Sequence, residues 1–327
     1  MKIQFSHKFE DITSAENLLE AWREFIRGKR GKRDVQEFSL FLMDNIFSLR
    51  DDLINHTYEH GGYQAFNISD PKPRNIHKAS VRDRLLHHAI YRKLYPFFDR
   101  IFIADSYSCR INKGTHGAIN RFRSMFYRVS KNNTNTCWVL KCDIRKFFAS
   151  INHEILMKIL KQYISDKNIL WLLENVIGSF HSTKPGIGLP LGNLTSQLLV
   201  NIYMNEFDQF VKHKLKAKFY VRYADDFVIF SESRKWLELK IPAIKDFLSD
   251  KLMLELHPKK LFIKTVVSGV DFLVLVNFSD HRVLRTATKR RMLGRLSKNF
   301  SNETKNSYLG MLKHGNTFKL KSMIEFD

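Results

Sequence analysis

Two adjacent carboxylates, Asp225 and Asp226, stand between two short β-prone runs, Ala217-Lys-Phe-Tyr-Val-Arg222 and Phe227-Val-Ile-Phe230. The pattern predicts a hairpin with both aspartates at its turn. Like charges side by side are unfavourable unless a cation or water neutralises them. A rigid turn carrying two acids suits hard divalent cations such as Mg²⁺, which prefer carboxylate oxygen. The competing reading is a solvated turn, where Asp is common for local hydrogen-bonding reasons.

A third acid stands about eighty residues upstream. Val139-Leu-Lys-Cys-Asp143-Ile144 reads as a buried strand, and Arg145-Lys-Phe-Phe-Ala-Ser-Ile151 leads from it toward a helix. Alone, Asp143 would read as a helix N-cap or turn residue. Two-metal catalysis, however, needs about three acids holding ions roughly 3.5–4 Å apart, so that one activates a hydroxyl nucleophile and the other steadies the leaving oxygen. A strand-end acid followed by an acid-pair hairpin supplies that set.

The charge balance agrees with a polyanion as substrate. There are 54 Lys and Arg against 33 Asp and Glu, a net +21, and counterion release favours binding of such a chain to nucleic acid. Aromatics at 13% can supply stacking surfaces as well as core. A ribosome-associated or membrane-surface protein would carry similar charge. Cys109, Cys137 and Cys142 lack the paired spacing of a zinc site and are expected to be buried, reduced thiols. The charged N-terminus does not read as a signal peptide, and no apolar stretch reaches membrane-spanning length. The expectation is an intracellular, cytoplasmic protein with no membrane partner.

Helical patterning covers 14–57 (Leu18, Leu19, Trp22, Phe25, then Phe38, Phe41, Leu42, Ile46), interrupted by the basic loop Gly28-Lys-Arg-Gly-Lys-Arg33. That loop lacks the Gly-Lys-Ser/Thr ending of a phosphate-cradling loop. It is either solvated or in touch with an RNA backbone. Residues 60–78 read as strands and turns, and 80–100 as a basic helix whose Arg82 and Arg84 suit either ion pairs or nucleic acid. From about 285 the pattern is helical and basic (Lys289, Arg290, Arg291, Arg295, Lys298). His87 and His88 are adjacent on a helix and point apart, so they read as structural rather than metal-ligating.

Taken together, the motifs resemble those of reverse transcriptases. Asp143-Ile-Arg-Lys-Phe-Phe148 is similar to the family's first catalytic motif and Tyr223-Ala-Asp-Asp226 to its second. Gly188-Leu-Pro-Leu-Gly192-Asn-Leu-Thr-Ser196-Gln197 resembles the template and nucleotide platform. Pro71-Lys-Pro-Arg74 with Arg82-Asp-Arg84, Asp105-Ser-Tyr-Ser-Cys-Arg110, Leu256-His-Pro-Lys259-Lys260 and Gly269-Val-Asp-Phe-Leu273 extend the resemblance from about Gln64 to the C-terminus. Several ordered motifs are far more specific than any one of them.

The resemblance implies an α/β (α+β) right-hand polymerase. Its parts would be an N-terminal helical extension (1–58), interleaved fingers and palm (59–279) and a small helical thumb (280–327). It implies RNA-directed DNA polymerisation with two Mg²⁺ ions (Mn²⁺ able to substitute), a template RNA, a DNA primer and deoxynucleoside triphosphates. Asp143 and Asp225 would ligate both metals with the Ile144 carbonyl assisting, and Asp226 would complete the electrostatics. Phe148 takes the position of the gate that excludes a 2′-hydroxyl, with Phe147 or neither as the alternative. Arg74 would grip the triphosphate, Leu191 and Gly192 would face the nucleotide, and Ser196 and Gln197 the nucleic acid. Lys259 or Lys260 would protonate pyrophosphate, and Lys289, Arg290 and Arg291 would grip a duplex.

Within that family, Leu191-Gly192 and Ser196-Gln197 stand where retroviral, retron and group II intron enzymes usually have Gln-Gly and Ser-Pro. Together with Ser307–Thr317, this is similar to reverse transcriptases of diversity-generating retroelements. That resemblance implies bacterial or phage origin, errors at template adenine, mutagenic retrohoming and a small, basic, oligomeric accessory variability protein as partner. Val274 departs from the group, which usually has Gly there. The alternatives are a group II intron-like or phage-defence reverse transcriptase and, from another class, a non-catalytic maturase-like RNA-binding protein.

Overall fold

The computed structural model describes residues 3–69, 73–297 and 301–325. Of the residues singled out in the sequence, Pro71, Lys72 and Lys298 lie outside them. The fold mixes helices with antiparallel sheets and divides into two compact units. No helix among the described residues is long and apolar enough to cross a membrane.

The first unit comprises residues 1–104, 145–209 and 246–255. Its N-terminal helices are α1 (Phe9–Thr13), α2 (Ala15–Phe25), α3 (Arg33–Leu40) and α4 (Leu42–Ile54). The apolar spacing seen in the sequence buries Leu18, Trp22 and Phe25 of α2 and Ile46, Leu49 and Leu53 of α4. A two-stranded ribbon follows, β1 (Tyr63–Ile68) against β2 (Arg74–Ala79), and then α5 (Val81–Ile101). Ser80 caps α5 by accepting from the Asp83 amide at 3.1 Å, which satisfies an amide the helix itself cannot. After a 3₁₀ turn (Phe147–Ser150) come α7 (His153–Lys161), α8 (Lys167–Gly178) and the largely buried α9 (Leu194–Gln209).

The second unit comprises residues 105–144, 210–245 and 256–327. Here α6 (Gly114–Val129) packs Phe122 and Phe126 onto a four-stranded antiparallel sheet ordered β4-β5-β3-β6. Its strands are β3 (Trp138–Asp143), β4 (Tyr220–Tyr223), β5 (Asp226–Ser231) and β6 (Phe262–Thr265). The helix α10 (Arg234–Leu252) begins in this unit and ends in the first. A three-stranded meander, β7 (Val270–Phe272), β8 (Leu275–Asn277) and β9 (Arg282–Leu284), leads to α11 (Thr286–Leu296), α12 (Asn302–Leu312) and α13 (Phe318–Glu325). These last helices close a cluster of Leu275, Leu284, Met292, Leu296, Leu312 and Ile324. The methionine is core, as its apolar neighbours dictate.

Two expectations need correction. The three cysteines are free, but only Cys137 and Cys142 are buried; Cys109 sits exposed in a turn at φ 53°. It lies in a turn, and turns run over the surface because buried irregular backbone would leave its polar groups unpaired. The acid-pair hairpin also differs in detail. Its two turn residues are Ala224 and Asp225, while Asp226 is the first residue of β5, paired with Tyr223.

Candidate active site

The acids converge because of strand register. Asp143, the last residue of β3, lies directly opposite Asp226 in the antiparallel β3–β5 pair. Asp225 sits one residue before that position, on a turn that its own backbone ties to β3: the Ile144 amide donates to the Asp225 carbonyl at 3.1 Å. The His257 amide donates to the Asp143 carbonyl at 2.7 Å, which fixes the strand end from its other side. Beneath the turn the fully buried Arg222 donates to the Ala224 carbonyl and to Ser106 Oγ, each at 3.0 Å.

Two lysines neutralise this trio. Lys260 Nζ lies 2.8 Å from both carboxylate oxygens of Asp143. Lys141 Nζ, itself buried, lies 3.0 Å from Asp226 Oδ1. That contact falls outside hydrogen-bond geometry, so Oδ1 has a charge partner but no donor. Burial pushes the Asp226 carboxyl up to about 6; Lys141 opposes the rise, and Asp143 and Asp225 add to it. Among the described residues no three His, Cys, Asp or Glu groups are gathered as a ready-made metal cage. The donor set nonetheless suits a hard cation: it offers carboxylate oxygens alone, one of them buried with an unused lone pair.

Of the two candidate lysines, it is Lys260 that reaches Asp143, while Lys259 is exposed and only its amide meets His257 Nδ1. Sequence reasoning passed over Lys141. Its signal was present: residues i and i+2 of a strand share a face, so a lysine two before Asp143 in an apolar strand had to face the acids. Arg222 was passed over as well, because a lone arginine in a strand gives no pattern that distinguishes a buried brace from a surface charge.

The nucleotide-side candidates belong to the first unit. Phe147 is buried in the core, and Phe148 is half-buried with its ring edge-on to Phe147 at 5.6 Å. The platform is bound to its neighbours by backbone: the Leu189 amide donates to the Phe148 carbonyl at 2.8 Å, and the His77 amide to the Leu191 carbonyl at 3.0 Å. Gly192 has φ 106°, and a Cβ there would stand 2.8 Å from Ile76 Cγ2, so only glycine lets the platform approach β2. Leu191 and Gln197 are half-buried and Ser196 is buried. Arg74 is exposed on β2 with no acidic partner among the described residues.

Beside the platform, Phe25, Phe66, Ile76, Arg84, Asn193 and Gln197 help line a cavity of about 390 Å³. Two buried polar atoms in its lining residues, His87 Nδ1 and Asn193 Oδ1, lack a hydrogen-bond partner. Full burial holds His87 down at about 3, hence neutral, and His60 Nε2 lies 3.1 Å from its Nε2. His88 is likewise pushed down by burial, to about 4, with Lys29 and Arg84 contributing. Arg82 and Arg84 are engaged as ion pairs with Asp52 and Asp34. On α11, Lys289 and Arg290 are exposed and Arg291 is half-buried. In the basic loop, Lys29 folds back to donate to the Phe25 carbonyl at 2.7 Å, leaving Arg30 and Lys32 exposed.

Comparison with known proteins fits this geometry. The chain is 27% identical over 285 residues to Protein YkfC of Escherichia coli (strain K12), covering 74% of this chain and 71% of that one. It is 31% identical over 156 residues to the putative COX1/OXI3 intron 1 protein of Saccharomyces cerevisiae, covering 45% of this chain but 18% of the relative. It is 26% identical over 155 residues to the group II intron-encoded protein LtrA of Lactococcus lactis subsp. cremoris, again 45% of this chain and 24% of the relative. The chain thus spans under a quarter of those two intron proteins. Residues 68–311 match the family described as reverse transcriptase (RNA-dependent DNA polymerase). That match takes in every acid of the site, both lysines and the platform, and the chain belongs to the reverse transcriptase family of RNA-directed DNA polymerases.

Proposed function

We propose that the chain extends a DNA primer on an RNA template with two Mg²⁺ ions held by Asp143, Asp225 and the Ile144 carbonyl, with Asp226 completing the negative field. The observation that carries this reading is the register that sets Asp143 opposite Asp226 and ties Asp225 to Ile144. The ions would supply activation of the primer 3′-hydroxyl and stabilisation of the leaving pyrophosphate. The protein's share is positioning and charge. Lys260, within 2.8 Å of both Asp143 oxygens, neutralises that acid until a cation does so. It is then the better placed of the two lysines to give a proton to pyrophosphate.

Phe148, beside a Phe147 committed to core, is the gate against a 2′-hydroxyl, and Arg74 grips the triphosphate as a planar guanidinium suits. The cavity beside Gly192 and Gln197 accepts a nucleobase, whose polar edge would meet Asn193 Oδ1 and His87 Nδ1. Residues 59–279 would form fingers and palm and 280–327 a thumb whose Lys289, Arg290 and Arg291 face a duplex, with 1–58 as a helical extension. Asp225→Asn removes metal charge at nearly constant volume, so extension should fall by roughly 10³-fold or more. RNA retention on a filter should stay near the parent's. Wild-type extension by that variant would sink the two-metal reading.

The finer reading is a polymerase of the diversity-generating type, supported by Leu191 in place of a polar residue. Leu191 can offer no side-chain hydrogen bond to an incoming nucleotide. Losing one such bond weakens discrimination by roughly 0.5–1.5 kcal/mol, or up to about tenfold. Leu191→Gln should therefore lower misincorporation opposite template adenine several-fold when cDNAs from both proteins on one adenine-rich RNA are sequenced. Identical error spectra would leave Leu191 a packing residue. A basic accessory protein would be repelled by a +21 chain unless RNA or apolar contact bridged them. The exposed Leu40, Phe41, Met43 and Phe47 at the α3–α4 junction offer such contact. The intron-encoded relatives favour a second reading, a group II intron-like enzyme. A template repeat with an adenine-substituted copy in neighbouring DNA decides between the two.

A further inference from the structure

On α6, His116, Asn120, Arg123 and Tyr127 recur at three-to-four spacing and so share one face over roughly 16 Å of helix. The first three are exposed. Arg282 of β9 joins this face, donating from Nη1 to Asn120 Oδ1 at 3.2 Å. His314, in the turn after α12, stacks on His116 with ring centroids 3.4 Å apart and planes 20° from parallel. Arg123 donates to the Tyr127 hydroxyl at 3.2 Å, with its guanidinium 5.4 Å from that ring's centroid.

Charge on this surface has one sign. Burial is the main reason the pKa values of Arg282 and His314 are lowered, and the neighbouring cations add to it: Arg123 on Arg282, and His116, Arg282, Lys313 and Lys321 on His314. Among the described residues no carboxylate pairs with Arg123, Arg282, Lys313 or Lys321. The acid beside them in sequence, Asp280, is held by His281 Nδ1 at 2.8 Å. Cations gathered without counter-ions are unfavourable unless an outside anion neutralises them. Guanidinium forks suit phosphate oxygens, and the interleaved rings of Tyr127, His116 and His314 offer stacking that an acidic peptide would not use. One residue before that face, Thr115 Oγ1 donates to the Tyr223 hydroxyl at 3.1 Å, which ties the start of α6 to β4, the strand that leads into the Ala224–Asp225 turn.

We propose that His116, Arg123, Arg282 and His314 form a track for the phosphodiester backbone of the nucleic acid engaged at Asp143 and Asp225, separate from the basic face of α11. The choice of nucleic acid rests on the polymerase reading above; the track itself rests on its own geometry. The test compares the full chain with Arg123→Gln/Arg282→Gln and Arg123→Lys/Arg282→Lys. The probe is a fluorescent RNA–DNA primer–template hairpin, titrated across salt concentrations, with a polyglutamate peptide of matched charge alongside. Removing two phosphate contacts should flatten the slope of log affinity against log salt by about 1.4–1.8 and weaken binding near 0.15 M salt about tenfold. The lysine pair should restore the slope, which a fold defect would not allow. An unchanged slope and affinity in the glutamine pair overturns the track, as does equally tight polyglutamate binding by the parent. Primer extension is assayed separately on the parent, so its absence would sink the polymerase reading without touching the slope comparison.

Discussion

The β4–β5 hairpin turns through Ala224, at φ 54°, and Asp225; the β7–β8 hairpin turns through Leu273 at 51° and Val274 at 78°. Both are two-residue turns that place a side chain in the left-handed region, where L-residues other than Gly, Asn and Asp are disfavoured by roughly 1–2 kcal/mol each. The acid turn is held by two donors, Arg222 on the Ala224 carbonyl and the Ile144 amide on the Asp225 carbonyl, and Arg222 is itself anchored on Ser106. The other turn has the Arg285 amide on the Val274 carbonyl at 3.0 Å, and its β-branched residue is the type least suited to the angle. Strain persists at a site when its surroundings over-determine it. The acid turn meets that condition more fully than the other, as the catalytic reading of Asp225 requires.

Removing the brace should have the largest effect. Arg222→Met leaves the Ala224 carbonyl and Ser106 Oγ without their donor in a buried setting, at about 3 kcal/mol. For a protein of this size that lowers the melting temperature by about 4 °C. Extension should fall further than stability accounts for, at least tenfold at a temperature where the variant remains folded, because Asp225 rides on the loosened turn. A variant that melts early yet extends at the parent rate would break the link between bracing and chemistry.

This contrast also shows what the sequence made legible. The acid trio could be read because strand, hairpin and acid each leave a local pattern, and the helical faces of α2 and α4 because apolar spacing is periodic. The placement of Asp226 on the strand rather than the turn was not legible, because choosing a two-residue turn over a longer one depends on pairing register with β3. The exposure of Cys109 depended on its falling in a surface turn. Lys260 over Lys259, and Arg222 as a brace, depended on which side chain reaches across from another element. Such long-range contacts carry no signature in the sequence nearby. The departure at Val274 was visible only against the resembled group, which usually has Gly there, and the structure gives its physical content: a valine at φ 78°.

Lys141 offers a second, smaller way to test the bracing. Asp226 is raised in the fold to about 6 from the ordinary 3.8. The fold therefore disfavours its charged form, a cost absent below about pH 4 and full above about pH 6. Lys141 offsets part of that cost. Lys141→Met should thus lower the melting temperature of the metal-free protein more at pH 8, where Asp226 must be charged, than at pH 5, where it is largely protonated. The gap should be a few degrees. Equal losses at the two pH values would mean that Lys141 acts by packing or through its Nζ over the Phe262 ring, 6.0 Å from the centroid, and not as the counter-charge of Asp226.

The smallest effects come from making the same relief in both turns. Val274→Gly removes a β-branched side chain from the left-handed region, worth about 1–2 kcal/mol, and adds roughly 0.5–1 kcal/mol of unfolded-state freedom. The net should be a gain of up to about 1 kcal/mol, read as a rise in melting temperature of about 1–2 °C. Ala224→Gly meets the same balance, with less strain to relieve because alanine is not branched, so its stability should hardly move. Its consequence lies in function. Glycine widens the range of angles open to the turn that carries Asp225, and extension should fall several-fold while the Val274 variant changes stability first. The two substitutions are chemically alike, so opposite readouts would locate the difference in what each turn is held for. Loss of extension in both, or in neither, would erase the distinction between a strained turn that is braced for chemistry and one that is merely strained.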